Sequence, residues 1–144
     1  MAKWKLVLSA DELNAVMAGA FPGGGRTDTV RDVSPGRVHM VMPYNPLTLR
    51  PGGLISGPTQ MSLADSAAYV LVMAHVGPEL MAVTSSLTMN FLRGARPGDL
   101  HAEAELLSLG RRLAVCDVRL WTESSDRLAS QATVTYARAA EPPA

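Results

Sequence analysis

Residues 58–76 read Pro58-Thr59-Gln60-Met61-Ser62-Leu63-Ala64-Asp65-Ser66-Ala67-Ala68-Tyr69-Val70-Leu71-Val72-Met73-Ala74-His75-Val76. Proline fits the first position of a helix, where its missing N–H is not needed. The stretch predicts one helix about 28 Å long. Its apolar residues, from Met61 and Leu63 through Val70, Leu71, Val72 and Met73, fall on nearly every side. A helix of that kind must be enclosed by other structure. Between Pro51 and Pro78, Asp65 alone carries a formal charge near neutral pH. It lies about two turns inside the helix, too deep to cap the N-terminus. Burying an unpaired carboxylate is costly, so stability alone would select alanine or leucine there. Two readings follow. Asp65 either faces a water-filled gap or pairs with an arginine such as Arg50 or Arg93, or it is held at a cleft as general base or nucleophile.

The loop before this helix, Asn45 to Gly57, contains Pro46, Pro51, Gly52, Gly53 and Gly57 and is expected to lack regular structure. Its end, Ser56-Gly57-Pro58, sets glycine immediately before the helix. The amides of Gly57, Thr59 and Gln60 are then available to an anion or a polarised carbonyl at the positive end of the helix dipole.

Upstream, Ser9 and Glu12 form a capping-box pattern at the start of a helix over Ala10 to Ala20, with Leu8 and Leu13 placed as a hydrophobic staple. Phe21-Pro22-Gly23-Gly24-Gly25 ends it in a turn. Strands are expected at Thr29–Val33 and Arg37–Tyr44 around a Ser34-Pro35-Gly36 turn. Downstream, Met81–Leu92 alternates. Met81, Val83, Leu87, Met89 and Phe91 are expected on one side, and Thr84, Ser86, Thr88 and Asn90 on the other. Leu100–Leu109, Leu113–Thr122 and Leu128–Arg138 follow as strands, with short links that predict antiparallel neighbours. The fold class is α+β, an antiparallel sheet around one long central helix. One domain is expected over residues 1–144, with an N-terminal helical segment at about 1–28 and a flexible tail at 139–144.

The chain has 144 residues, 47% of them hydrophobic, and 13 basic residues balance 13 acidic ones. That balance argues against nucleic acid or a membrane surface as partner. Cys116 is the only cysteine, and no Cys/His cluster has zinc spacing, so neither a disulfide nor a metal is expected. No cofactor is expected either. No signal peptide is read at the start, and the cytoplasm is the expected compartment. Met40, Met42, Met61, Met73, Met81 and Met89 read either as core or as the lining of a pliable apolar pocket.

Three features together resemble the hotdog-fold acyl-CoA thioesterases of the phenylacetic-acid-degradation (PaaI-like) type, within the 4-hydroxybenzoyl-CoA thioesterase superfamily. They are the Arg50-to-Pro58 loop after Asn45-Pro46, the Met61-Ser62-Leu63-Ala64-Asp65-Ser66-Ala67 helix, and Ala82-to-Arg93 with its Phe91-Leu92-Arg93 end. Pro97-Gly98-Asp99-Leu100 and Gly110-to-Val115 continue the match. The resemblance covers about Arg37 to Arg138. It implies the hotdog fold, homodimers with a continuous sheet, often dimers of dimers, and sites built by both subunits. It implies Asp65 as the catalytic carboxylate, Gly57 as the amide for the thioester oxygen, and Thr84 as a hydroxyl that helps place water. Arg93, Arg111 and Arg112 fall where CoA phosphates are contacted. Tyr69 is placed to shape an acyl tunnel.

The sequence departs from the family where His-Gly-Gly is common. Those positions read Ser56-Gly57-Pro58 here, and the asparagine several residues earlier falls on Arg50 unless a longer loop lets Asn45 replace it. The implied activity is hydrolysis of an acyl-CoA thioester. A non-catalytic acyl-CoA or lipid-binding protein is the alternative. A hotdog dehydratase or hydratase is disfavoured, because His39, His75 and His101 all lie outside the Asn45–Asp65 segment.

Overall fold

The computed structural model of the chain describes residues 3–22 and 27–139. The glycine turn expected at Gly23–Gly25 and tail residues 140–144 lie outside the described residues.

The first helix, α1, spans Ala10–Ala20. Both halves of its capping box form: the Glu12 amide donates to Ser9 Oγ and the Ser9 amide to Glu12 Oε1, each at 3.1 Å. Leu13 and Met17 are buried. Asn14 ties α1 to strand β1 (Thr29–Ser34): its amide nitrogen donates to the Val30 carbonyl, and its oxygen accepts from the Val30 amide. Strand β2 (Arg37–Met42) returns antiparallel through a turn whose Gly36 has φ +79°. A side chain at Gly36 would also strike the Trp4 ring. His75, near the end of the central helix, accepts from the Gly36 amide at 2.9 Å through Nε2, while Nδ1 meets the Leu71 carbonyl. This buried histidine therefore pins the hairpin to the helix.

The loop after β2 is more ordered than its prolines and glycines suggest. It holds one 3₁₀ turn at Pro46–Thr48 and a ribbon of two short strands, β3 (Leu49–Arg50) and β4 (Leu54–Ile55). Gly52 and Gly53, at φ +100° and +78°, allow the tight reversal between those strands.

The central helix, α2, spans Gly57–Val76. It starts one residue earlier than expected, because Ser56 is the N-cap and accepts from the Thr59 amide. Pro58 is thus the second helical residue, where the absent N–H is equally tolerated. Leu63, Ala64, Ala67, Ala68 and Val70 through Ala74 are all fully buried.

Strands β5 (Val83–Phe91), β6 (Leu100–Leu109), β7 (Leu113–Trp121) and β8 (Ser130–Ala137) complete a six-stranded antiparallel sheet in the order β1-β2-β6-β7-β8-β5. The buried residues Ala102, Ala104, Ala114, Cys116, Val118, Ala132 and Val134 form its inner face against α2. The many alanines there let the helix axis lie close to the strands. This is the hotdog fold.

Two expectations are corrected. Strands β5 and β6 are not neighbours, since β5 pairs with β8 and closes the far edge. Their link instead crosses the start of α2, where the Ile55 amide donates to the Ala95 carbonyl. The alternation of β5 is also broken by a bulge between Thr84 and Ser86. Thr84 is registered with inward-facing Tyr136, and Leu87, Met89 and Phe91 with Val134, Ala132 and Ser130. Thr84 therefore shares the helix-facing side of β5 with Leu87, Met89 and Phe91, not the side of Ser86, Thr88 and Asn90.

Candidate active site

Asp65 emerges from α2 beside the start of edge strand β5, half-buried. Among the described residues of one chain no cation pairs with it, so within the chain it forms no ion pair with Arg50 or Arg93. Its partners are two hydroxyls. Thr84 Oγ1 donates to Asp65 Oδ1 at 2.6 Å, and Tyr136 Oη reaches the same oxygen at 2.8 Å and the Asp65 carbonyl at 3.1 Å. Oδ2 has no partner among the described residues. The carboxylate is thus anchored by one oxygen and free at the other. Such an arrangement can take a proton from water or attack a carbonyl carbon.

Tyr136 was not singled out from the sequence. It stacks on Tyr69, with ring centroids 5.7 Å apart, and Tyr69 Oη donates to the Leu80 carbonyl at 2.8 Å. Tyr69 is buried, so the structure sets it beneath the carboxylate as support for Tyr136.

The helix start is the second part of the site. Pro58 has no N–H, Thr59 donates to Ser56 Oγ at 3.3 Å, and Gln60 donates to the Ser56 carbonyl at 3.2 Å. The Gly57 amide is therefore the one N–H of the first turn left without a partner among the described residues. The Phe91 ring lies against Gly57: a Cβ there would come within 3.2 Å of Phe91 Cζ. Gly57 and Asp65 stand about 12 Å apart along α2. They are associated with opposite ends of β5, Gly57 with Phe91 and Asp65 with Thr84.

Of the expected arginines, Arg93 lies beyond the Phe91 end of β5. With Arg96, Arg127 and the Gly52-Gly53-Leu54 turn it lines an open cleft of about 500 Å³. Arg96 pairs with Glu123 at 3.6 Å, whereas the guanidinium groups of Arg93 and Arg127 have no partner among the described residues. Arg111 and Arg112 are exposed in the β6–β7 turn, at the opposite end of the sheet, where Leu113, Ala137 and Val83 are in register. Within one chain the two arginine groups do not meet.

Arg50 is exposed on β3, its Nε donating to the Pro51 carbonyl. Asn45 is also exposed and spends its side-chain oxygen on the Leu47 amide. Ser56 is the helix cap, which gives a physical use to the residue standing in the family's histidine position. Met40 and Met73 are core, Met42 and Met89 are half-buried, and Met61 and Met81 are exposed. No histidine reaches Asp65: His75 is the hairpin pin, and His39 and His101 form a pair that stacks with Trp121. No cluster of three or more metal-ligating side chains occurs among the described residues.

The thioesterase superfamily matches residues 52–129. The chain belongs to the thioesterase superfamily. It is 30% identical over 126 residues to a candidate esterase of Pseudomonas aeruginosa, covering 83% of each chain. The crystal structure of a candidate thioesterase from Silicibacter sp. TM1040 is 36% identical, covers 96% of this chain and 95% of that one, and superposes with a TM-score of 0.85. A mutant of the same Pseudomonas protein, there called a thioesterase, is 26% identical with a TM-score of 0.78, covering 93% of this chain and 96% of that one. The match begins in the turn before Gly57 and ends at Ala129, so the thioesterase region includes the helix start, Asp65 and Thr84. No described helix is long and apolar enough to cross a membrane.

Proposed function

We propose that this thioesterase-superfamily protein hydrolyses acyl-CoA thioesters of the kind handled by PaaI-like enzymes, and that it does so as a homodimer, arranged further as a dimer of dimers. The observation that carries the reading is the pairing of one free helix-start amide with one half-anchored carboxylate, set at opposite ends of an edge strand.

Among the described residues strand β5 has a neighbour on one side only. An antiparallel two-fold pairing of two such edges exchanges their ends. It brings Asp65 and Thr84 of one copy toward Gly57 and Phe91 of the other. The thioester oxygen then accepts from the Gly57 amide at the positive end of α2. The second copy's Asp65 removes a proton from water as the water oxygen attacks the carbonyl carbon, or Asp65 itself attacks and the acyl-enzyme is hydrolysed afterwards. In either course negative charge collects on the carbonyl oxygen. When the tetrahedral species collapses, the C–S bond breaks and the CoA sulfur leaves with the electron pair. The same pairing brings the Arg111-Arg112 turn of one copy to the end that holds the Arg93 cleft of the other. Phosphates of CoA suit either group of guanidinium donors.

The test is thiol release from short, medium, long and aromatic acyl-CoAs by the purified protein. Turnover of at least one class supports the proposal. Tight binding of the esters with no free CoA released would favour a binding protein that has kept the fold.

A further inference from the structure

We infer that Tyr136 is a positioning residue for the hydrolysis, holding Oδ1 of Asp65 together with Thr84 so that Oδ2 is the oxygen free to act. The inference rests on the reading of Asp65 as the working carboxylate.

An aspartate side chain turns about two bonds, and a carboxylate free to turn spends little time aligned with a reacting atom. Two donors on one oxygen remove that freedom. Thr84 reaches Oδ1 from β5 at 2.6 Å and Tyr136 from β8 at 2.8 Å, so strands on either side of the β5–β8 ladder fix the group. The donors are themselves held. Tyr136 is 4% exposed and stacked on Tyr69, whose hydroxyl is tied to the Leu80 carbonyl.

Packing explains the ring of Tyr136 but not its oxygen, since phenylalanine would fill the same volume beside Tyr69. The hydroxyl's partners are the carboxylate and the carbonyl of Asp65. Burial above all pushes this phenol far above its ordinary range; the Thr84 hydroxyl opposes it, and the Asp65 charge adds to it. The group therefore keeps its proton and remains a donor wherever the carboxylate is ionised.

The experiment compares Tyr136→Phe, Thr84→Val, the double variant and Asp65→Asn in the full-length protein, using thiol release from the best acyl-CoA and thermal unfolding. For Tyr136→Phe the expected result is a kcat lower by roughly ten- to a hundredfold, the usual effect of losing a hydrogen bond to a charged group. KM and the unfolding midpoint stay near wild type. The double variant loses less than the product of the single losses, because both donors serve one oxygen. Unchanged kcat in Tyr136→Phe with Asp65→Asn inactive overturns the assignment of Tyr136 alone, as does a loss seen wholly in KM or in the unfolding midpoint. Near-full activity of Asp65→Asn overturns both the assignment and the reading of Asp65 beneath it.

Discussion

Cys116 lies on β7 facing α2, fully buried, and burial pushes its thiol up to about 12. A thiol in that state is inert. Native protein at neutral pH is expected to show no titratable thiol with a disulfide reagent, and one per chain after denaturation. A cysteine that titrates in the folded protein would contradict its placement. The result also means that thiol detected during turnover comes from substrate. At this scale Asp65 was legible because a charge on an apolar helix is conspicuous in one dimension. Tyr136 was not, since its partner is 71 residues away and its strand shows only an apolar alternation. A polar tip on an inward-facing aromatic was the available signal. Ser56 was not read as the helix cap, because the proline two positions later drew the helix start to itself.

Strands β5 and β6 show what hydrophobic alternation can and cannot specify. It located both strands, yet Thr84-Ser85-Ser86, three hydroxyl residues in a row, cannot alternate. The bulge they form reverses the side on which Thr84 falls. The turn signal Arg96-Pro97-Gly98-Asp99 before β6 also concealed that β5 crosses to pair with β8, because pairing is decided by how the sheet wraps α2. On β2 and β6, His39 Nε2 and His101 Nδ1 lie 2.9 Å apart beside Trp121. Burial depresses both rings below 6.5. Arg31 adds to this for His39, and His39 followed by Arg31 for His101. Glu103 and Asp32 oppose it for His39, as does Asp99 for His101. Folding thus favours the neutral rings. Their contribution is complete above about 6.5 and is lost as pH falls through the depressed folded values, where unfolding takes up protons. The thermal midpoint should decline on acidification from about pH 7.5 to about pH 5, and less steeply in a His39→Gln/His101→Gln variant. An identical slope in that variant would contradict the account.

For the molecule as a whole, the order of elements and the wrapped helix followed from the sequence, because an all-round apolar helix leaves few places to stand. The relation between two copies did not follow, since edge pairing depends on which strand is left unpaired. Thr88 lies near the middle of β5 on its exposed face. In a two-fold pairing through that edge, Thr88→Glu sets like charges close to one another. Light scattering should report a smaller assembly for this variant, with thiol release falling in step. A fully active monomer would show that one chain suffices. The most direct test of the central claim is kcat for Asp65→Asn, measured by CoA release on protein whose fold and assembly match wild type. Loss of about a hundredfold or more is expected, because the amide cannot accept a proton from water or attack the thioester. Hydrolysis near the wild-type rate would contradict a role for that carboxylate in the chemistry.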